Sequence, residues 1–87
     1  MLELYQAEGC PHCKKVRDTL TRLGVSYVIH NPRLPAKDGG DVCNEQVHEE
    51  LQTVGGTDQI PFLIDQRRGV RLYESDDIVE YLEAHYD

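Results

Sequence analysis

Two cysteines two residues apart, Cys10 and Cys13, with Pro11 and His12 between them, constrain this chain more than any other feature. They follow a short strand-like run (Leu2, Glu3, Leu4, Tyr5) and open a strongly patterned helix. Two thiols in that position read as a reversible dithiol/disulfide pair. A helix N-terminus presents unpaired N–H groups and the positive end of a dipole, and both favour an anion, here the Cys10 thiolate. Cys10 occupies the N-cap position, and Pro11 the first helical position, where a missing N–H costs nothing. Cys13 falls about one turn later on the inward face. Cys10 is therefore expected to be the exposed nucleophile and Cys13 the more buried resolving thiol.

Charge around the pair supports this reading. Residues 10–17 contain Lys14, Lys15 and Arg17 and no acid, and His12 adds a cation when protonated. Cations at a helix start oppose the dipole, so their placement beside a thiol reads as thiolate stabilisation. A stabilised thiolate favours the reduced form and makes the disulfide a stronger oxidant. For Lys14 and Lys15 a plain solvated face explains the residues equally well.

Eighty-seven residues make one small domain spanning 1–87, near the lower end of what a single core stabilises. No apolar run approaches the roughly 18 residues of a membrane span. The N-terminus lacks the basic-then-apolar pattern of a secretory signal, and Met1 fits a native start. Three cysteines do not form a disulfide framework, so a cytoplasmic catalytic or metal-binding use is expected. Sixteen acids against nine bases give a net charge of −7. Such a surface repels nucleic acid and anionic membranes, so neither is an expected partner, and the chain is expected to be a monomer. Lys supplies only three of the bases, which suits a high-salt cytoplasm or an ordinary acidic soluble protein.

The pattern along the chain predicts the order β-α-β-α-β-β-α. Residues 2–6 form a strand and residues 11–23 a helix with Cys13, Val16, Leu20 and Leu23 on one face, stopped by Gly24. Residues 25–29 are β-branched and aromatic, so a second strand follows, parallel to the first through a right-handed crossover. Residues 31–40 are a loop. Asn44 or Asp41 caps a second helix with Val47, Leu51 and Val54 inward, ended by Gly55 and Gly56. Residues 59–65 form a buried strand, and a turn at 66–69 joins it as a hairpin to residues 70–73. Ser75 caps the last helix, with Ile78, Tyr81, Leu82 and His85 on one face and Asp76 and Asp77 favouring its dipole.

Two further features carry chemistry. Pro61 cannot donate to a strand ladder, so Ile60-Pro61 belongs at a strand start, with the peptide bond cis or plainly trans. In Tyr73-Glu74-Ser75-Asp76-Asp77, the helix N–H groups can hold a carboxylate, and Glu74, Asp76 or Asp77 an ammonium. Together these would suit an amino-acid-like group; a well-capped helix needs the same residues with no ligand.

Taken together, C-P-H-C at 10–13, Ile60-Pro61 and the Ser75-Asp76-Asp77 helix start resemble the glutaredoxin family over essentially the whole chain. That resemblance implies an α/β thioredoxin-like (glutaredoxin) fold, a four-stranded mixed sheet flanked by three helices. It implies a thiol–disulfide oxidoreductase that reduces protein disulfides and mixed disulfides of a small thiol, with no tightly bound cofactor and glutathione or an analogue as co-substrate. Carried over, Cys10 is the nucleophile, Cys13 the resolving thiol, and Pro11 and His12 complete the catalytic tetrapeptide. Pro61 would be cis, Ile60 would pair its backbone with the cysteinyl part of the thiol, and Ser75 and Asp76, with Glu74, would bind the γ-glutamyl end.

The departures are informative. Family members usually carry Tyr or Phe at position 12, and C-P-H-C is similar to strongly oxidising thioredoxin-fold enzymes. The basic residue often found three before the first Cys is here Ala7, beside Glu8. The partner is then expected to be a thiol lacking the glycine carboxylate, such as γ-glutamylcysteine, along with disulfide-containing proteins. Residues 72–82, with Glu74-Ser75, resemble the N-terminal domain of glutathione transferases; no helical domain follows, so a complete transferase is not expected. The competing reading from another class is a metal- or iron–sulfur-binding module using Cys10, Cys13, Cys43 and His12 or His48. Cys43 otherwise reads as a structural thiol, and His30, His48 and His85 as surface or core-edge groups.

Overall fold

A computed structural model describes residues 2–37 and 39–87. Met1 and Asp38, the latter within the loop expected at 31–40, lie outside the described residues. The elements run β1 (Leu2–Tyr5), α1 (Pro11–Arg22), β2 (Tyr27–His30), α2 (Glu45–Gly55), β3 (Phe62–Asp65), β4 (Val70–Tyr73) and α3 (Ser75–Tyr86). The sheet order is β2-β1-β3-β4. β1 and β2 are parallel, whereas β3 is antiparallel to both β1 and β4. This is the α/β thioredoxin-like arrangement expected from the sequence.

Alternation along the two central strands sends side chains to opposite layers. Leu2, Leu4 and Leu63 meet Val16 and Leu20 of α1 and Ile78 and Leu82 of α3. Tyr5, Phe62 and Ile64 meet Leu51 of α2 on the other face. Asn44 caps α2, its side chain accepting from the Val47 N–H at 3.1 Å, and Gly56 ends it in the left-handed region at φ 84°.

Boundaries differ where backbone hydrogen bonds are already committed. The expected strand at 25–29 forms at Tyr27–His30, because the Val25 N–H bonds the Leu20 carbonyl at 3.0 Å and closes α1. β3 begins only at Phe62, and Gln59 and Ile60 line a cleft instead. Glu74, not Ser75, is the N-cap of α3, with φ 69°, and Ser75 is a buried first-turn residue. Tyr81 packs against the core as expected, but His85 is exposed and Tyr86 packs there in its place.

Both tyrosines serve a buried carboxylate. Asp65 is 0% exposed and accepts from the Tyr81 and Tyr86 hydroxyls at 2.6 and 2.8 Å and from the Arg67 N–H at 3.1 Å. Burial pushes its carboxyl up, but hydrogen bonds from Tyr81, Tyr86 and Arg68 outweigh that and hold it at about 2. Asp65 thus fixes the C-terminal end of α3 to the end of β3.

Tyr73 closes the other end of the sheet. Its hydroxyl donates to the Thr57 carbonyl at 2.7 Å and accepts from the Thr57 N–H at 3.2 Å. This locks the ring over Gly55, where a Cβ would lie 2.0 Å from the hydroxyl oxygen.

Two outcomes follow from these contacts. Gly55→Ala, although a better helix former, lowers stability by about 1–3 kcal/mol through overpacking, read as a drop in Tm. Asp65 gives stability above its unfolded-state value of 3.8, lost as pH falls toward about 2. In acid titrations the wild type should lose roughly 2 kcal/mol over that window, and Asp65→Asn, already weaker at neutral pH, should show a flatter curve.

Candidate functional site

Three chain segments converge at one end of the sheet. They are the start of α1, the Gln59-Ile60-Pro61 approach to β3 and the start of α3. Between them lies a cleft of about 500 Å³ lined by His12, Lys15, Gln59, Ile60, Pro61, Glu74, Ser75, Asp76 and Asp77. The Ile60-Pro61 bond is cis, as the family resemblance implied. The tetrapeptide, the cis proline and the α3 start are therefore neighbours in space.

Cys10 is the N-cap of α1, in extended backbone at φ −80°, and Pro11 is at the first helical position. Its side chain makes no capping hydrogen bond. The expected exposure of Cys10 is corrected: the residue is 3% exposed, and Cys13 is 0% exposed. Both form an apolar cluster with Ala7, against which Ile60 packs. Burial pushes the Cys13 thiol up and Cys10 adds to this, while a hydrogen bond from the Ala7 backbone and the charge of Arg17 act in the opposite sense. Arg17 is held by Glu8 at 3.3 Å and by a hydrogen bond to Gln6.

Residues 32–37 and 39–43 form a strap beside the Glu8-Gly9 loop. It closes on itself through the Arg33–Val42 bridge and Leu34 N–H to Asp41 carbonyl at 2.9 Å. Ala36 donates to the Glu8 carbonyl at 3.0 Å, and a Cβ on Gly9 would lie 3.4 Å from Ala36. Gly9 also has φ 81°, so glycine meets both the close approach and the conformation. Arg33 and His48 anchor the strap side to Asp58 at 2.7 and 3.0 Å.

The basic residues of α1 are not simply aimed at the thiols. Lys14 pairs with Asp18 at 2.7 Å, and Lys15 pairs with Asp76 across the cleft. The Lys15 hydrogen bond and charge, with a contribution from His12, hold the Asp76 carboxyl below its ordinary value. Gln59 donates to Glu74 at 2.9 Å, tying the approach to β3 to the start of α3. Lys15 and Gln59 are cleft residues that sequence reasoning did not select for binding, whereas Asp77, offered there as a carboxylate for an ammonium, does line the cleft. The helical spacing of Lys15 was visible, but its partner 61 residues away was not.

The proposed metal set is not brought together. Cys43 is exposed and its thiol donates to the Asn31 carbonyl at 3.7 Å, while His48 faces Asp58. Among the described residues, no group of three or more His, Cys, Asp or Glu side chains is arranged to hold a metal ion. Also among the described residues, no helix is long and apolar enough to cross a membrane.

Comparison with known proteins bears on this geometry. Residues 4–87 match the family model "Glutathione S-transferase, N-terminal domain". No curated protein matches the chain by sequence. Among solved structures, glutathione S-transferase isozyme E7 of Drosophila melanogaster is similar at 27% identity and a TM-score of 0.75, covering 99% of this chain and 35% of its own. A glutathione S-transferase from the Antarctic clam Laternula elliptica is similar at 25% identity and a TM-score of 0.74, covering 98% of this chain and 35% of its own. A delta-class glutathione transferase of Nilaparvata lugens shares the fold, at 23% identity and a TM-score of 0.76, covering 99% of this chain and 36% of its own. The chain thus spans about a third of the length of these transferases.

The cover over Cys10 is testable. Ile60→Ala should raise the rate of Cys10 alkylation several-fold in the folded protein, measured by mass spectrometry, with Cys43 as internal reference.

Proposed function

The chain belongs to the glutathione S-transferase N-terminal domain family, and from that premise we propose that it is a thiol–disulfide oxidoreductase of glutaredoxin type. The observation that carries the proposal is the second thiol: Cys13 lies in one apolar cluster with Cys10, against which Ile60 of the cis Ile60-Pro61 pair packs. A site that only bound or conjugated a thiol peptide would not need it.

In the proposed reaction the Cys10 thiolate attacks the small-thiol sulfur of a mixed disulfide. A Cys10–sulfur bond forms, the bond to the protein sulfur breaks, and the protein thiolate leaves. A second small-thiol thiolate then attacks the sulfur of the thiol held on Cys10, releasing the small-thiol disulfide and restoring Cys10. With a protein disulfide, the Cys10 thiolate attacks one sulfur and the other leaves as a protein thiolate. Cys13, giving its proton to solvent, then attacks the Cys10 sulfur and releases the second protein thiolate. Two small-thiol molecules reduce the Cys10–Cys13 disulfide, leaving as their own disulfide. Pro11 starts the helix at the reacting sulfur, and His12 stands at the cleft wall. The Ile60 backbone pairs with the cysteinyl part of the thiol, cis-Pro61 fixing the approach. The α3 N–H groups at Ser75 and Asp76 hold the γ-glutamyl carboxylate, and the Glu74 and Asp76 carboxylates its ammonium.

Because burial disfavours the Cys13 thiolate, the route through a second small thiol should serve mixed disulfides even without Cys13. Cys10→Ser should abolish both reactions, and Cys13→Ser should retain mixed-disulfide reduction while losing protein-disulfide reduction. Undiminished activity of Cys10→Ser would overturn the proposal.

The small thiol is glutathione or an analogue without its glycine, such as γ-glutamylcysteine. Ala7, fully buried, offers no charge to a glycine carboxylate. Mixed disulfides of the two thiols, compared under the same conditions, should favour γ-glutamylcysteine; a clear preference for glutathione would reject the analogue.

A further inference from the structure

We propose that Lys15 of α1 is a specificity-determining residue of the cleft: it supplies the positive charge that lets this acidic site accept an α-carboxylate beside an ammonium. The inference rests on the small-thiol reading above but concerns a residue that reading does not use.

The charge balance of the cleft carries the argument. Its described lining includes three carboxylates, Glu74, Asp76 and Asp77, and a single Lys or Arg, which is Lys15. His12 contributes positive charge only when protonated. A bare amine would be welcome there. The carboxylate of an α-amino acid head would meet three like charges, and the α3 N–H groups would have to outweigh them alone. Lys15 changes that balance, since it sits across the cleft and is paired with Asp76.

The same pair gives a way for the ligand to enter. Lys15 and Asp76 side chains are 50% and 81% exposed, and an ion pair so open is worth at most about 1 kcal/mol. Exchanging it therefore costs little. The incoming ammonium takes Asp76, the incoming carboxylate takes Lys15, and two zwitterionic pairs replace one. Lys14, one residue earlier, does not line the cleft and pairs with Asp18 on its own helix. The site thus selects for both charges together.

The test compares two mixed disulfides on the full chain. One carries γ-glutamylcysteine, with ammonium and carboxylate; the other carries cysteamine, with ammonium alone. Lys15→Met should raise KM for the first about fivefold and leave kcat nearly unchanged, while leaving or lowering KM for the second. Lys15→Arg should restore the wild-type preference. An equal effect on both substrates, or none, would overturn the proposal. Binding of the unreactive S-methyl-γ-glutamylcysteine to wild type and Lys15→Met, followed by NMR, is read separately. If the wild type turns over neither disulfide, the oxidoreductase reading fails, and this binding comparison alone decides the role of Lys15. About fivefold weaker binding to Lys15→Met supports it; unchanged binding, or no binding to either protein, overturns it.

Discussion

Phe62, Leu63, Ile64 and Asp65 are all buried, so β3 exists only with a strand on each edge and a helical layer on each face. The physical requirement is that every backbone group of such a strand be paired and every side chain be covered. β1 and β4 meet the first need, and α1 and α3 on one side with α2 on the other meet the second. The two ends of β3 then become fixed points. Asp65 at one end gathers two tyrosine hydroxyls of α3, and Pro61 precedes the other end and enters the cleft. The position of the candidate site therefore follows from the burial of four residues.

The dithiol depends on this frame in a second way. Cys10 and Cys13 belong to an apolar cluster with Ala7, and Ile60 packs against it from the approach to β3. Burial withholds both thiols from solvent and pushes the Cys13 thiol up. The described strap residues 32–37 and 39–43 approach the Glu8-Gly9 loop and Ile60, and Ile60, remote in sequence, packs against the Cys10 cluster.

Family membership and site chemistry bear on different levels. The family fixes a thioredoxin-like domain of the kind found at the start of glutathione transferases. The pair of thiols, Cys10 and Cys13 in one apolar cluster, is the observation on which the proposed disulfide exchange rests. The charge pattern of the cleft bears on the proposed choice of small thiol.

The sequence by itself determined the order of elements and the candidate tetrapeptide. Periodicity of Val16 and Leu20, the Gly56 stop and the apolar run at 62–64 are local signals legible from spacing alone; for the α2 cap the sequence left Asn44 or Asp41, and the fold uses Asn44. Only the tertiary structure decided that Cys10 is covered, that Lys15 reaches Asp76, and that Tyr86 rather than His85 turns inward. Each of those outcomes depends on a partner tens of residues away. A local pattern records which face of a helix is apolar, but not which charge or side chain the fold sets opposite it. The shift of β2 to Tyr27–His30 has the same cause: its register is set residue for residue by β1, and Val25 is already bonded to Leu20.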